Sequence, residues 1–228
     1  MKKDIVLISG ALATPKLWQY QEKLMRETMN VHYLDMLQCH SIPEMARAYA
    51  QNAPDQFTLV AFSMGGYVAL ELFRHIPDRI QKLILINSGA KLISDKGRLE
   101  RERSIDLIKK GKFDFLISLI FKNSIHDASK HDDLLALAQE MAHEVGAVNY
   151  IHQLQAIINK PDHLPLLSSI TCPTLLITSK QDKVMSCKHS EQMASHIKQA
   201  ELIYVENCGH LATLEQPEMI NQLLSGWL

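Results

Sequence analysis

The chain has 228 residues, of which 46% are hydrophobic and 21% are charged. These fractions are ordinary for a globular domain and argue against a disordered protein or a coiled coil. Lys and Arg total 24 against 25 Asp and Glu, so the net charge is −1. Because proteins that bind nucleic acid usually carry a basic excess, this balance disfavours nucleic acid as a partner.

Membrane-spanning and secreted proteins are also disfavoured. No apolar run approaches the roughly 20 residues that a transmembrane helix needs. The first residues, MKKDIVLISG, place two lysines before an apolar stretch, but that stretch is shorter than the ~7–15 residues of a signal peptide. We interpret it as a buried first strand. We therefore expect a cytoplasmic protein with no membrane partner. The sequence contains no signal for its oligomeric state, and a monomer or a weak homodimer is our expectation.

Six short apolar runs alternate with helix-like stretches along the chain. The runs are rich in Ile, Leu and Val without regular polar residues between them, which is typical of strands buried on both faces. Strands that alternate with helices predict an α/β fold, with a parallel sheet between two layers of helices. The predicted strands are Ile5–Ile8, Val31–Leu34, Phe57–Phe62, Lys82–Ile86, Thr174–Thr178 and Leu202–Val205.

The segment between the fourth and fifth predicted strands is too long for a simple crossover. Its apolar residues recur at helical spacing in two stripes, separated by Gly146 as a stop. We therefore expect a helical cap, residues 91–170, over one edge of the sheet. The core domain would then comprise residues 1–90 and 171–228.

The sharpest motif is AFSMGG, which follows the third predicted strand and opens a helical stretch. This strand–turn–helix context is that of a nucleophile elbow, in which a serine sits on a strained, sharp turn. Such a turn requires small residues two positions before and after the serine. Ala61 and Gly65 meet this requirement, so Ser63 is the candidate nucleophile.

Two further residues complete a candidate catalytic triad. Asp182 follows the fifth predicted strand and His210 follows the sixth. The order Ser, Asp, His is that of the α/β-hydrolases, and parallel strands bring these three loops to one edge of the sheet. His210 would take the serine proton, and Asp182 would orient the imidazole. Glu206 is a less favoured alternative to Asp182.

Metal and cofactor alternatives are weaker. Two Cys–His pairs could supply four zinc ligands, but their spacing fits no common zinc module. They are Cys187 with His189 and Cys208 with His210. A second loose group, also disfavoured as a metal site, is His126, His131, His143 and His152. The sequence has neither a GxGxxG nor a P-loop motif, so we predict no metal and no cofactor.

Three segments resemble those of α/β-hydrolase-fold serine hydrolases. ISGALA with Trp18 resembles the oxyanion loop, AFSMGG the nucleophile elbow, and NCGHLATLEQPE the catalytic-histidine segment. Small capped carboxylesterases, including pimeloyl-carrier methyl esterases and enol-lactone hydrolases, are the most similar members. The chain departs from the family at Ser9, where a histidine is usual. It also lacks the two strands that usually precede the first strand here.

The resemblance implies a six-stranded, all-parallel α/β-hydrolase sheet of order 2-1-3-4-5-6. Ligands of such sheets bind where the strand order reverses, here between strands 1 and 3. An oxyanion hole would form there from the backbone N–H groups of Ala11 and Met64.

The cap offers aromatic residues for an apolar substrate pocket. The candidate substrate-binding residues are Leu12, Phe113, Phe115, Phe121, Tyr150 and Leu211. We expect a cofactor-free serine hydrolase that cleaves carboxylic esters or lactones through an acyl-enzyme. A C–C bond hydrolase remains possible, as does a slow-turnover ligand receptor or regulatory protein on the same fold.

Overall fold

The computed structural model describes residues 2–37, 39–128 and 131–228, and within them one six-stranded sheet lies between layers of helices. The strands are Lys3–Ile8 (β1), Met29–Tyr33 (β2), Phe57–Phe62 (β3), Ile80–Ile86 (β4), Thr174–Ser179 (β5) and Ala200–Val205 (β6). The α-helices are Gln19–Thr28 (α1), Ile42–Ala50 (α2), Met64–His75 (α3), Asp95–Lys109 (α4), Phe113–Ser124 (α5), Asp132–Ile158 (α6), Leu164–Leu167 (α7), Lys188–His196 (α8), Ala212–Glu215 (α9) and Pro217–Trp227 (α10).

The strand order is β2-β1-β3-β4-β5-β6, and every neighbouring pair is parallel. The predicted fold class and strand order are therefore confirmed. The order reverses between β1 and β3, so the loops that follow these two strands flank a crevice at the carboxyl edge of the sheet.

Burial on both faces explains the apolar runs. In β1, Ile5 and Leu7 join a core cluster with α1 and α10, whereas Val6 and Ile8 join a second cluster with α2, α3 and α8. Successive strand residues point to opposite faces. Both faces of the sheet must therefore be apolar.

Most strands begin earlier than predicted. β1, β2, β4 and β6 each start two residues before the predicted position, and the added segments include Asn30, Gln81 and Glu201. These polar side chains are exposed, but their backbones belong to the strands. A polar residue interrupts the apolar run near the start of these strands, so the sequence pattern placed the start too late.

The segment between β4 and β5 is helical, as expected. It contains α4 to α7, and α6 breaks at Gly146, where φ is 78° and ψ is 161°. Glycine adopts such a backbone without the steric cost that a Cβ would add. The boundaries of the predicted cap, residues 91–170, stay a prediction. In the part of the chain that the structure describes, no helix is both long and apolar enough to cross a bilayer.

Candidate active site

Ser63 lies alone between β3 and α3, on a strained turn. Its φ is 52° and its ψ is −118°, a region that non-glycine residues rarely occupy and that costs about 1–3 kcal/mol. Its amide donates to the carbonyl of Ile86 over 3.0 Å, which fixes the turn to β4. The side chain therefore stands at the carboxyl edge of the sheet.

Two glycines make this turn possible. A Cβ on Gly65 would lie 2.4 Å from the carbonyl oxygen of Ser9, and one on Gly66 would lie 2.0 Å from Oγ of Ser88. No real Cβ tolerates such contacts. The start of α3 can therefore approach the loops after β1 and β4 only without side chains at these positions.

Ser63, His210 and Asp182 form a chain of hydrogen bonds. Nε2 of His210 lies 2.9 Å from Oγ of Ser63, and Nδ1 lies 2.7 Å from Oδ2 of Asp182. Oδ1 of Asp182 accepts backbone N–H groups from Val184 and Met185 at 2.7 and 2.9 Å. Because a carboxylate accepts but does not donate, Nδ1 carries the imidazole proton and Nε2 is left to accept one from Ser63.

The loop that carries His210 is held by a half-buried carboxylate that the sequence analysis did not single out. Glu215 accepts the backbone N–H groups of Gly209 and His126 on Oε2, and that of Leu211 on Oε1, at 2.7 to 2.9 Å. Burial raises the pKa of Glu215, whereas these three N–H donors lower it and the net direction is upward. The contacts fix the backbone on both sides of His210.

Asn87 joins the ends of β4 and β5 to the histidine loop. Its Nδ2 donates to Oγ of Ser179 at 2.9 Å and to the carbonyl of His210 at 2.8 Å, and its Oδ1 accepts the N–H of Ser179 at 2.8 Å. Asn87 is fully buried with a φ of 46°. It therefore couples the loop that leads to Asp182 with the loop that carries His210.

Ser9, at the position where the hydrolases that the sequence resembles usually have a histidine, shapes the loop after β1. Its Oγ accepts the indole N–H of Trp18 at 3.0 Å and donates to the carbonyl of Thr14 at 3.2 Å. These contacts draw the loop into a compact turn in front of β3. Trp18, which the sequence analysis grouped with this loop, therefore contacts it directly through its indole N–H.

The same loop contacts the helical insertion. The amide of Leu12, where φ is 58°, donates to Oε1 of Gln153 on α6 over 3.0 Å. Ala11, one predicted oxyanion donor, lines the same cavity as Ser63 and Met64, the other predicted donor. Gln153 was not foreseen as a site residue, since its contact spans most of the chain.

A cavity of ≈590 Å³ lies above Ser63 and His210, between the sheet edge and the insertion. Four of the predicted substrate-binding residues line it: Leu12, Phe121, Tyr150 and Leu211. Leu116, Leu119 and Ile120 of α5 add further apolar surface. These residues make one wall of the cavity apolar.

Two predicted pocket residues lie outside this cavity. Phe113 packs against Tyr150, with ring centroids 6.4 Å apart, and Phe115 is 62% exposed. The cavity-facing residues of α5 recur at helical spacing from Leu116 onward, and Phe115 lies off that face. Phe113 lies on the same face, one turn before Leu116. Direct contact of Phe113 or Phe115 with a substrate stays a prediction.

Polar and charged residues also line the cavity. Glu100, Arg101 and Ser104 of α4 and Lys183 after β5 form part of its lining. The charged stretch that begins α4 therefore faces the cavity as well as solvent.

The alternative metal sites are not assembled. Over residues 2–37, 39–128 and 131–228, no group of three or more His, Cys, Asp or Glu side chains is arranged to hold a metal ion. His210 is engaged by Ser63 and Asp182. Glu206 is exposed and pairs with Lys180 at 2.8 Å, away from the imidazole.

Comparisons with known proteins agree with this architecture. A family model described as the alpha/beta hydrolase fold matches residues 42–217. A putative carbamate hydrolase of Serratia proteamaculans is 27% identical over 98% of this chain and 90% of its own. A 3-oxoadipate enol-lactonase of Acinetobacter baylyi is 30% identical over 73% of this chain and 61% of its own.

A solved structure shows the same fold over the whole chain. The thermophilic esterase of Thermogutta terrifontis superposes with a TM-score of 0.88 at 21% identity, covering 100% of this chain and 89% of the esterase. The family match covers well over half of the sequence. The chain therefore belongs to the alpha/beta hydrolase fold family, and it is a hydrolase.

Proposed function

We propose that the protein hydrolyses carboxylic esters or lactones through an acyl-enzyme on Ser63. The observation that carries this proposal is the hydrogen-bonded chain Ser63–His210–Asp182 beneath an apolar cavity. A serine hydroxyl becomes an effective nucleophile only when an adjacent base takes its proton. The names of the enol-lactonase and esterase relatives support this class of substrate.

In the proposed acylation, Oγ of Ser63 attacks the carbonyl carbon while Nε2 of His210 accepts its proton. Asp182 keeps Nδ1 protonated and stabilises the imidazolium that forms. The developing oxyanion accepts hydrogen bonds from the backbone N–H groups of Met64 and Ala11. Met64 is the first residue of α3, and the first N–H groups of a helix have no acceptor within it and favour a negative charge.

The tetrahedral intermediate then collapses, and the leaving alkoxide takes the proton from Nε2 of His210. The acyl group stays on Oγ of Ser63. A water molecule transfers a proton to Nε2 and attacks the acyl carbon. The bond from the acyl carbon to Oγ then breaks, Oγ takes the proton back from Nε2, and the carboxylic acid is released. With a lactone, the alcohol and the acid remain on one product molecule.

Substrate specificity follows from the cavity walls. We propose that Leu12, Phe121, Tyr150 and Leu211 contact the acyl or alcohol group, since they line the cavity beside Ser63. An apolar wall distinguishes substrates that differ by one methylene by about 1–3 kcal/mol. Phe113 and Phe115 do not line the cavity and are not part of this proposed set.

The test compares turnover on p-nitrophenyl acetate, butyrate and octanoate and on a set of lactones. The Asp182→Asn substitution is expected to lower kcat by about 10⁴-fold, because the imidazole would take the wrong tautomer. Glu206→Gln is the matched control, since Glu206 is a nearby exposed acid paired with Lys180. A larger loss for Glu206→Gln than for Asp182→Asn would overturn the proposed triad.

A slow-turnover receptor predicts a different result in the same assay. It would release about one product molecule per protein and then stop, whereas an esterase cycles continuously. A C–C hydrolase would leave the esters and lactones largely intact and cleave carbon–carbon substrates instead. Continuous turnover of an ester or a lactone therefore separates the proposal from both alternatives.

A further inference from the structure

A second cavity of ≈370 Å³ adjoins the one above Ser63. The two share lining residues, among them Tyr67, Arg101 and Lys183. Arg101 and Lys183 therefore face the space beside the candidate nucleophile and also the side cavity. No role in the proposed bond cleavage uses either of them.

The side cavity is lined by an excess of cationic groups. Among the described residues that line it, Glu100 is the one carboxylate, and it lies 3.9 Å from the ammonium of Lys96, which offsets its charge. Lys91, Arg101, Lys160 and Lys183 also line this space. Within the part of the chain that the structure describes, none of these four forms an ion pair with a carboxylate.

Lys160 is the most unusual of these cations. It is only 4% exposed, and its ammonium lies 4.2 Å from the ring centre of Tyr67 and donates to the carbonyl of Lys91. Burying a cation is costly, and a nearby anion reduces that cost. Burial lowers the pKa of Lys160 to about 8, although the carboxylate of Asp162 acts in the opposite direction.

Neighbouring groups are affected by the same positive potential. The pKa of His189, which also lines the side cavity, is lowered mainly by burial and further by Lys91 and Lys160.

Arg101 uses one guanidinium nitrogen to donate to the carbonyl of Gly97 at 3.1 Å. Guanidinium has five N–H donors, so others remain for a ligand.

We infer that Arg101 and Lys183, backed by Lys160, form a subsite that binds a carboxylate carried by the ester substrate. This inference rests on the proposed function, since it concerns the substrate of that site. The apolar wall would hold the chain that joins the ester to the carboxylate. The preferred substrates would then be half-esters of dicarboxylic acids or esters of carboxyl-bearing alcohols.

The first experiment measures kcat/KM for two matched pairs of probes. One pair carries the charge on the acyl side, p-nitrophenyl hemiglutarate against p-nitrophenyl butyrate. The other carries it on the leaving group, 4-carboxyphenyl butyrate against phenyl butyrate. A charged-to-neutral preference of about tenfold or more in either pair is expected, once corrected for intrinsic reactivity with hydroxide. Equal values in both pairs would overturn the subsite and leave the proposed function intact.

The second experiment assigns the preference to a residue. Arg101→Gln is expected to reduce the charged-to-neutral ratio by about tenfold. Arg103→Gln is the matched control, since Arg103 is an exposed arginine of the same helix that lines neither cavity. An unchanged ratio in Arg101→Gln, or an equal fall in Arg103→Gln, would contradict the assignment.

Calorimetry measures binding at the subsite and does not depend on catalysis. Monomethyl glutarate is titrated into Ser63→Ala protein with and without Arg101→Gln, and methyl butyrate serves as the neutral reference. The subsite is supported if the half-ester binds at least tenfold more tightly than the reference and if Arg101→Gln removes this difference. Equal binding of both ligands overturns it, even if no probe is hydrolysed and the proposed function fails.

Discussion

The amide of Leu12 donates a 3.0 Å hydrogen bond to Oε1 of Gln153, a residue 141 positions later in the chain. Leu12 has a left-handed backbone and directly follows Ala11, a proposed oxyanion donor. Gln153 is only 2% exposed, on α6 of the helical insertion. The insertion therefore holds the loop that is proposed to stabilise the transition state.

The Gln153→Ala substitution should lower kcat by about 10- to 100-fold, because a displaced loop misplaces the Ala11 N–H. KM should change much less, since Gln153 does not line the cavity. Gln155→Ala, an exposed glutamine of the same helix, is the control and should match the wild type. The measurement is kcat and KM on p-nitrophenyl butyrate, with the melting temperature as a folding check. A wild-type kcat in Gln153→Ala would contradict this role.

If the backbone at Ser63 is strained, a glycine at this position should give a more stable protein than an alanine. Ser63→Gly and Ser63→Ala both lack the hydroxyl, but only the glycine variant relieves the steric cost of a Cβ at φ 52°. We expect Ser63→Gly to be more stable to urea than Ser63→Ala by about 1 kcal/mol, after the entropy cost of glycine is subtracted. If Ser63→Ala were the more stable variant, the elbow would not be strained.

The close approach of α3 to the β1 loop predicts a severe effect at Gly65. In Gly65→Ala the added methyl would lie 2.4 Å from a backbone oxygen of Ser9, which no side-chain movement can relieve. The elbow must shift, so both stability and kcat should fall, stability by several kcal/mol.

Gly226→Ala is the matched control for this substitution. A Cβ there meets no atom within 4 Å, and the position lies in α10. We expect this variant to be as stable as the wild type or up to about 1 kcal/mol more stable. Equal effects of the two glycine substitutions, measured by urea unfolding, would refute the close approach.

Because Lys160 is buried, we expect the free energy of unfolding to rise as the pH increases above about 8. Burial lowers its pKa to about 8, below its ordinary value of 10.5. Between these values the unfolded chain binds more protons than the folded one, so the free energy of unfolding increases with pH. Below about pH 8 the cost of the buried charge is fully present.

Urea unfolding from pH 7.5 to 10.5 tests this expectation as a difference between wild type and Lys160→Met. The wild type should gain up to about 3 kcal/mol relative to the variant across this range. Lys188→Met, at an exposed lysine of α8, should keep the wild-type slope. A Lys160→Met variant with the same slope would show that the ammonium is not stressed by burial.

The sheet and the candidate triad were predictable because their signals are local. Uniform apolar runs reveal strands buried on both faces, and parallel strands bring the loops that follow them to one edge. Small residues around Ser63 mark a turn that only they permit. The positions of Asp182 and His210 after the fifth and sixth runs then follow from topology.

Other parts of the site depend on contacts between distant segments. Gln153 and Asn87 act through hydrogen bonds that span the fold, and a single sequence contains no local sign of them. Arg101 lies in a stretch whose charge density is typical of a solvated helix, so its place in a cavity depends on how α4 packs. Phe115 was assigned to the pocket because composition does not show which face of α5 lies toward the cavity.

The central claim is that Ser63 is the nucleophile, and a fluorophosphonate probe tests it most directly. The probe phosphonylates a serine only where a base and an oxyanion hole activate it. Intact-mass measurement followed by peptide mapping should find one adduct per chain, on Ser63, and none in Ser63→Ala. An adduct on another residue, or no adduct in protein that still hydrolyses esters, would contradict the account.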